Sequence, residues 1–325
     1  MFSFFLRLER GGKELEPIME TPSTELQHTR SWRVWWQLTR PHTLTAAFVP
    51  VMLGSALALQ EGAIDIWLML AMLFASLFIQ AATNMFNEYY DYKRGLDTKD
   101  SIGIGGAIVR EGVRPKTVLA IAFALFGMSA LLGVYICLAS SWWVAVVGLV
   151  CMAAGYLYTG GPFPIAYSPF GEIMAGFFMG IVIIILSFYI QTGTITTESW
   201  LVSIPIFFLV GNINLANNIR DREGDALAGR KTIAILIGRK KAIRLLAASF
   251  LFAYIWIVVL IMIYPNFFWF VAVFASLPKA IQATKGFIGK SQPQEMMPAM
   301  RATAQTNTLF GVLLTIGVLL TIWIG

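Results

Sequence analysis

Long apolar runs separated by short polar turns dominate the chain. The runs show neither the two-residue alternation of a half-buried strand nor a single narrow helical stripe. Cut into lengths of about 20 residues, enough for a helix to cross a bilayer, they predict helices at 44–60, 66–90, 117–138, 142–158, 170–191, 199–219, 242–263, 266–284 and 306–324. The expected class is therefore all-α, a polytopic membrane protein with about nine transmembrane helices. A membrane β-barrel would show short segments of alternating polarity instead.

Composition agrees. The 325 residues are 57% hydrophobic and only 13% charged, where a soluble domain carries about a quarter charged residues. The mean hydropathy of +0.70 excludes a disordered or ordinary cytosolic chain. Two cysteines, Cys137 and Cys151, both inside apolar runs, exclude a disulfide scaffold and read as small buried hydrophobes.

Charge position adds an orientation. None of the 24 Lys and Arg falls in 41–92, 117–219, 245–278 or 302–325. The turns at 61–65, 140–141, 191–198 and 265–266 carry no Lys or Arg, and the alternate loops carry nearly all of them. The positive-inside rule then puts the N-terminus and the basic loops in the cytoplasm. Nine spans put the C-terminus outside. The net charge of +6 belongs to one membrane face and reads as attraction to anionic membrane lipid, with no nucleic-acid partner. Residues 1–31 are polar and turn-rich after an apolar start too short for a signal peptide, and Met19 is an alternative start. They are expected to form a mobile cytoplasmic tail. SWRVWWQLTR, 31–40, suits a helix lying in the interface.

The acidic residues cluster at two cytoplasmic helix ends. In NMFNEYYDYKRGLD, Asn84, Asn87 or Glu88, and Asp91 share one helix face, and Asp97 follows beyond Gly95, where the helix should unwind. In NINLANNIRDREGD, Asn214, Asn217 or Asn218, Asp221 and Asp225 form a second stripe, with Gly224 marking a bend. Polar side chains in such spans are costly and normally have a task. Facing carboxylates would repel unless cations sat between them. Mg²⁺ takes one or two carboxylates per ion and completes its shell with water and substrate phosphates. Two such stripes make a clamp for a diphosphate. Nearby Arg40, Lys93, Arg94, Arg110, Arg220 and Arg222 are candidates to hold the remaining phosphate charge. Tyr89, Tyr90, Tyr92, Tyr156 and Tyr158 could face a carbocation. Tyr156 and Tyr158, with the uncharged 159–169 loop, are the candidate acceptor site. The Gly103–Gly106 run could hinge a lid. His28 and His42 are isolated and suggest neither a dyad nor a zinc site. A transporter would place its acids mid-span in broken helices, and a lipid-binding scaffold would need no matched acidic pair.

NEYYDYKRGLD and NNIRDREGD resemble the two aspartate-rich motifs of the UbiA superfamily of intramembrane prenyltransferases. The spacing Asn87-x₃-Asp91-x₅-Asp97 is similar to that of its naphthoate branch. LTRPHTLTAAFVPVMLGSALA, GIGGAIVREG, GYLYTGGPFPIAYSPFGE and GRKTIAILIGR also fit, so the resemblance covers roughly 35–325. It implies one UbiA-type domain over 32–325, with nine helices around a central cavity open sideways to lipid under a cytoplasmic cap. It also implies Mg²⁺ as cofactor and polyprenyl diphosphate and 1,4-dihydroxy-2-naphthoate as substrates, with loss of diphosphate and CO₂. Other acceptors of the superfamily are homogentisate, 4-hydroxybenzoate and haem. Carried over by position, Asn87, Asp91, Asp97, Asp221 and Asp225 are the Mg²⁺–diphosphate set, supported by Asn84, Asn217 and Asn218.

Overall fold

The structure, a computed structural model, describes residues 32–97 and 105–324. The tail at 1–31 and positions 103–104 of the glycine run lie outside the described residues. No strand occurs among the described residues. In chain order the helices are α1 (Trp32–Leu38), α2 (Pro41–Gln60), α3 (Ile66–Lys93), the short α4 (Ala107–Arg110), α5 (Pro115–Ala139) and α6 (Trp143–Thr159). They continue with α7 (Gly171–Thr192), α8 (Thr197–Leu227), the short α9 (Ile233–Ile237), α10 (Arg239–Ile263), α11 (Pro265–Phe287) and α12 (Pro293–Ile324). Among the described residues eight helices are long and apolar enough to cross a membrane; α6, at 17 residues, is apolar but shorter. Every predicted run is thus helical, and the chain is a multi-pass membrane protein.

The boundaries follow from local chemistry. Asp65 caps α3 by accepting from the Trp67 and Leu68 amides at 2.8 and 3.1 Å. Helix α3 stops where expected, with Gly95 in the left-handed region at φ 71°. Gly224 does not bend the second motif: α8 continues through it to Leu227, and the stop is Gly229 at φ 77°. One glycine costs a helix only about 1 kcal/mol, so Asp221 and Asp225 stay one turn apart on the same face. Helix α12 starts well before the predicted 306. Its threonines back-bond to the preceding turn, Thr303 to Ala299 O and Thr306 to Ala302 O, so a segment that reads as polar packs inside.

Small residues let the helices touch. A Cβ on Gly176 would lie 2.4 Å from the Phe207 carbonyl oxygen, and one on Gly180 would lie 2.6 Å from the Phe207 Cα. The same stretch of α7, Gly176–Val182, has widened π-helical turns. Helix α1 buries Val34 and Leu38 against Phe86, Ala107 and Ile108 and leaves Trp32 and Trp36 exposed. Arg40, at φ 50°, turns the chain from α1 into α2.

The helices enclose a cavity of about 1100 Å³. Its polar end lies between the C-terminal ends of α3 and α8. Its other end is apolar, walled by α5, α6 and α7. Val134, Trp142 and Leu149 line the cavity and are also exposed on the outside, so it reaches the outer surface of the α5–α6 pair.

Candidate active site

The two motif helices bring their stripes to opposite walls of the polar end. Asn84, Asn87, Asp91 and Asp97 line it from α3 and the turn after it, and Asn217, Asn218, Asp221 and Asp225 line it from α8. All four aspartates singled out from the sequence therefore share one chamber. Sequence spacing puts each stripe on a helix face; only the packing shows that the faces meet.

The asparagines set the stage. Asn84 Nδ2 donates to Thr39 O at 2.7 Å and to Thr43 Oγ1 at 2.9 Å, which ties α3 to the α1–α2 junction. Asn218 Nδ2 donates to Glu172 Oε1 at 2.8 Å, and Asn214 Nδ2 donates to the Tyr158 hydroxyl at 2.9 Å. Glu88 is almost fully buried. Its carboxylate accepts from the Gly106 and Ile108 amides at 2.9 and 3.1 Å, pinning the segment around α4 to α3.

Arginines engage three of the four aspartates, and Asn87. Arg40 Nη2 donates to Asn87 Oδ1 at 2.7 Å and lies 3.9 Å from Glu88. Arg220 holds its neighbour Asp221 with two bonds, at 2.6 and 2.5 Å. Arg230 reaches both walls, with Nη2 3.1 Å from Asp91 Oδ1 and Nη1 3.1 Å from Asp225 Oδ1. Burial pulls against its charge, but the two carboxylates outweigh burial and hold its pKa above the ordinary arginine value. Asp97 is the exception. Its Oδ2 is buried with no hydrogen-bond partner. Burial, with Asp91 and Glu88 nearby, pushes its pKa up to about 6.

Three of the six candidate cations bond to oxygens elsewhere in the protein. Arg94 donates to Thr159 O at 2.5 Å and Gly161 O at 3.1 Å, and lies 5.2 and 5.3 Å from the centres of the Tyr90 and Tyr167 rings. It fastens the uncharged 159–169 loop to α3. Arg222 donates to Ala234 O and to Glu223, and Arg110 to Gly105 O. None of these three lines the cavity, and neither does Lys93. Arg40 and Arg220 do. Arg230, in the GRKTIAILIGR segment, is not among the six candidates; it reaches the chamber from the loop after Gly229, and no spacing signal marks it. Of the tyrosines, Tyr158 lines the cavity. Tyr156 pairs its hydroxyl with that of Tyr90 at 2.6 Å and packs on Phe86, off the cavity.

The arrangement fits a molecule with a highly charged head and a long apolar body. The donor set is oxygen-rich, as a hard divalent cation requires. Among the described residues no three carboxylate, imidazole or thiol side chains stand close enough to enclose one ion, and one guanidinium, that of Arg230, lies between Asp91 and Asp225.

The UbiA prenyltransferase family profile matches residues 47–304. The chain is 60% identical over 288 residues to the 1,4-dihydroxy-2-naphthoate octaprenyltransferase of Bacillus subtilis, covering 89% of this chain and 93% of that protein. It is 29% identical to the enzyme of the same name from Mycobacterium tuberculosis, over 84% of this chain and 92% of that one. In fold it is similar to a UbiA homolog from Archaeoglobus fulgidus bound to DMAPP and Mg²⁺, with a TM-score of 0.59 at 15% identity, over 90% of this chain and 99% of that one. With a family match over most of its length and a relative this similar, the protein belongs to the UbiA prenyltransferase family.

Proposed function

We propose that the protein transfers a polyprenyl group from polyprenyl diphosphate to 1,4-dihydroxy-2-naphthoate. Diphosphate and CO₂ leave, and demethylmenaquinone results in its quinol form, the prenylation step of menaquinone synthesis. The observation that carries this reading is the pair of Asn/Asp stripes opposed across the polar end of an otherwise apolar cavity. The 60% identity to the Bacillus subtilis enzyme supports the acceptor.

Asn87, Asp91, Asp97, Asp221 and Asp225 are the residues that would hold Mg²⁺, and the partnerless Asp97 Oδ2 is a ready oxygen donor. Bound there, Mg²⁺ supplies positive charge against the departing diphosphate. Arg40, Arg220 and Arg230 line the same chamber and can turn from the protein's own oxygens to those of the diphosphate. As the allylic C–O bond breaks, its electron pair stays on diphosphate and positive charge develops on carbon. Tyr158, its hydroxyl fixed by Asn214, lines the same cavity and offers a π face to that charge. The apolar walls keep water from the cation. The new bond forms at the ring carbon bearing the carboxylate, and loss of CO₂ returns its bonding pair to the ring. Arg94 holds the 159–169 loop in place beside the acceptor. The proposed orientation puts the polar end, the N-terminus and the 1–31 tail in the cytoplasm and the C-terminus outside.

The test uses carboxyl-labelled naphthoate with polyprenyl diphosphate, Mg²⁺ and membranes containing the protein. Labelled CO₂ and diphosphate should appear in equal amounts. Label retained in the lipid product, or preference for 4-hydroxybenzoate or homogentisate, would overturn the acceptor assignment.

A further inference from the structure

Asp91 and Asp225 come from different helices, yet one guanidinium spans them at 3.1 Å to each. The side chains of all three are largely shielded from solvent, at 15% exposure for Arg230, 13% for Asp91 and 12% for Asp225. Two shielded carboxylates facing each other repel unless a cation lies between them, and removing that cation leaves them uncompensated. Arg230 is fixed from behind: its guanidinium lies 5.0 Å from the centre of the Tyr167 ring, and the next residue, Lys231, donates its amide to Tyr167 O at 2.8 Å. Arg40 and Arg220 each engage oxygens of a single wall. Among the hydrogen bonds and ion pairs of the described residues, only Arg230 joins the two motifs.

We infer that Arg230 is a resident cation that holds the two carboxylate stripes together in the metal-free protein and competes with Mg²⁺ for Asp91 and Asp225. The inference rests on the reading of these stripes as the Mg²⁺–diphosphate clamp and deepens it. Mg²⁺ alone must displace a bonded guanidinium from both oxygens. Mg²⁺ arriving with a diphosphate gives the guanidinium a new anionic partner at the same moment. Arg230 thereby stabilises the chamber and biases it toward taking metal and diphosphate together, acting as a positioning residue.

The experiment is a thermal-stability titration of the full chain in detergent, with Mg²⁺ alone and with neither prenyl donor nor acceptor. In EDTA, Arg230→Gln should melt at a lower temperature than wild type. Added Mg²⁺ should then restore it at a half-saturating concentration at least about fivefold lower, the low end of ordinary coupling between competing ligands. Arg230→Lys keeps the charge but cannot span both carboxylates, and should fall between. A Mg²⁺ half-saturation unchanged or raised in Arg230→Gln would overturn the inference, including the case where only inorganic diphosphate binding weakens. If Arg230→Gln does not survive extraction, a half-saturation for Arg230→Lys equal to that of wild type does the same. Failure of the naphthoate assay would leave this titration intact, which separates the two conclusions.

Discussion

At the scale of single residues, the chamber divides into groups that act on substrate and groups that hold other groups. Asp91→Ala or Asp221→Ala should lower prenyl transfer roughly a hundredfold or more, the usual loss when one electrostatic contact to a leaving group is removed. The variants should still insert and extract normally. EDTA should abolish wild-type activity and Mg²⁺ should restore it; steady transfer in EDTA would refute the clamp. Arg94→Ala should behave differently. It removes two bonds to the 159–169 loop, so hydrogen exchange there should speed up and KM for the acceptor should rise, with KM for the prenyl donor unchanged. A rise confined to the donor KM would return Arg94 to the diphosphate. Asp91, Asp221 and Asp225 were legible because a helix repeats every 3.6 residues and brings i, i+4 and i+7 onto one face; Asp97 was legible only through the turn at Gly95 that follows the helix. Arg230 was not, because it acts from a loop that folds back past Gly229, and spacing along the chain does not encode that return. Lys93, Arg94, Arg110 and Arg222 lie off the cavity lining, because nearness in sequence to an aspartate does not say where a long side chain points.

At the scale of helices, hydropathy located every apolar run but misjudged ends and internal detail. The polar start of α12 hides its threonine hydroxyls on its own backbone, and window averages count them as solvent-seeking. The turn expected at Gly224 fails because a helix absorbs one glycine when tertiary contacts favour its continuing. Glycines in α7 matter more for contact than for bending. In lipid, helices associate through close packing of small residues. Gly180→Leu would force a side chain into the Phe207 backbone, where even a Cβ would lie 2.6 Å from Cα. Overpacking of this kind costs about 1–3 kcal/mol or more, so the variant should extract in lower yield and melt several degrees lower. An unchanged melting temperature would show that α7 and α8 can separate freely.

At the scale of the whole molecule, the uneven spread of Lys and Arg predicts how the bundle sits. A cysteine introduced in the 191–198 turn should react with an impermeant reagent from outside intact cells. One introduced at Gly229 should react only after permeabilisation, and the reverse pattern would invert the orientation. Orientation decides which aqueous compartment meets the acidic end; where the chain-like part of a substrate goes depends on the apolar end and its opening at Val134, Trp142 and Leu149. In the proposed reaction both anionic groups, diphosphate and carboxylate, are discarded in a single turnover. The finished lipid keeps no charge for the arginines and carboxylates to grip. Its better solvent is then the bilayer, so product departure becomes a matter of partitioning, and the pace of the enzyme should follow the fluidity of the surrounding lipid as well as its own chemistry.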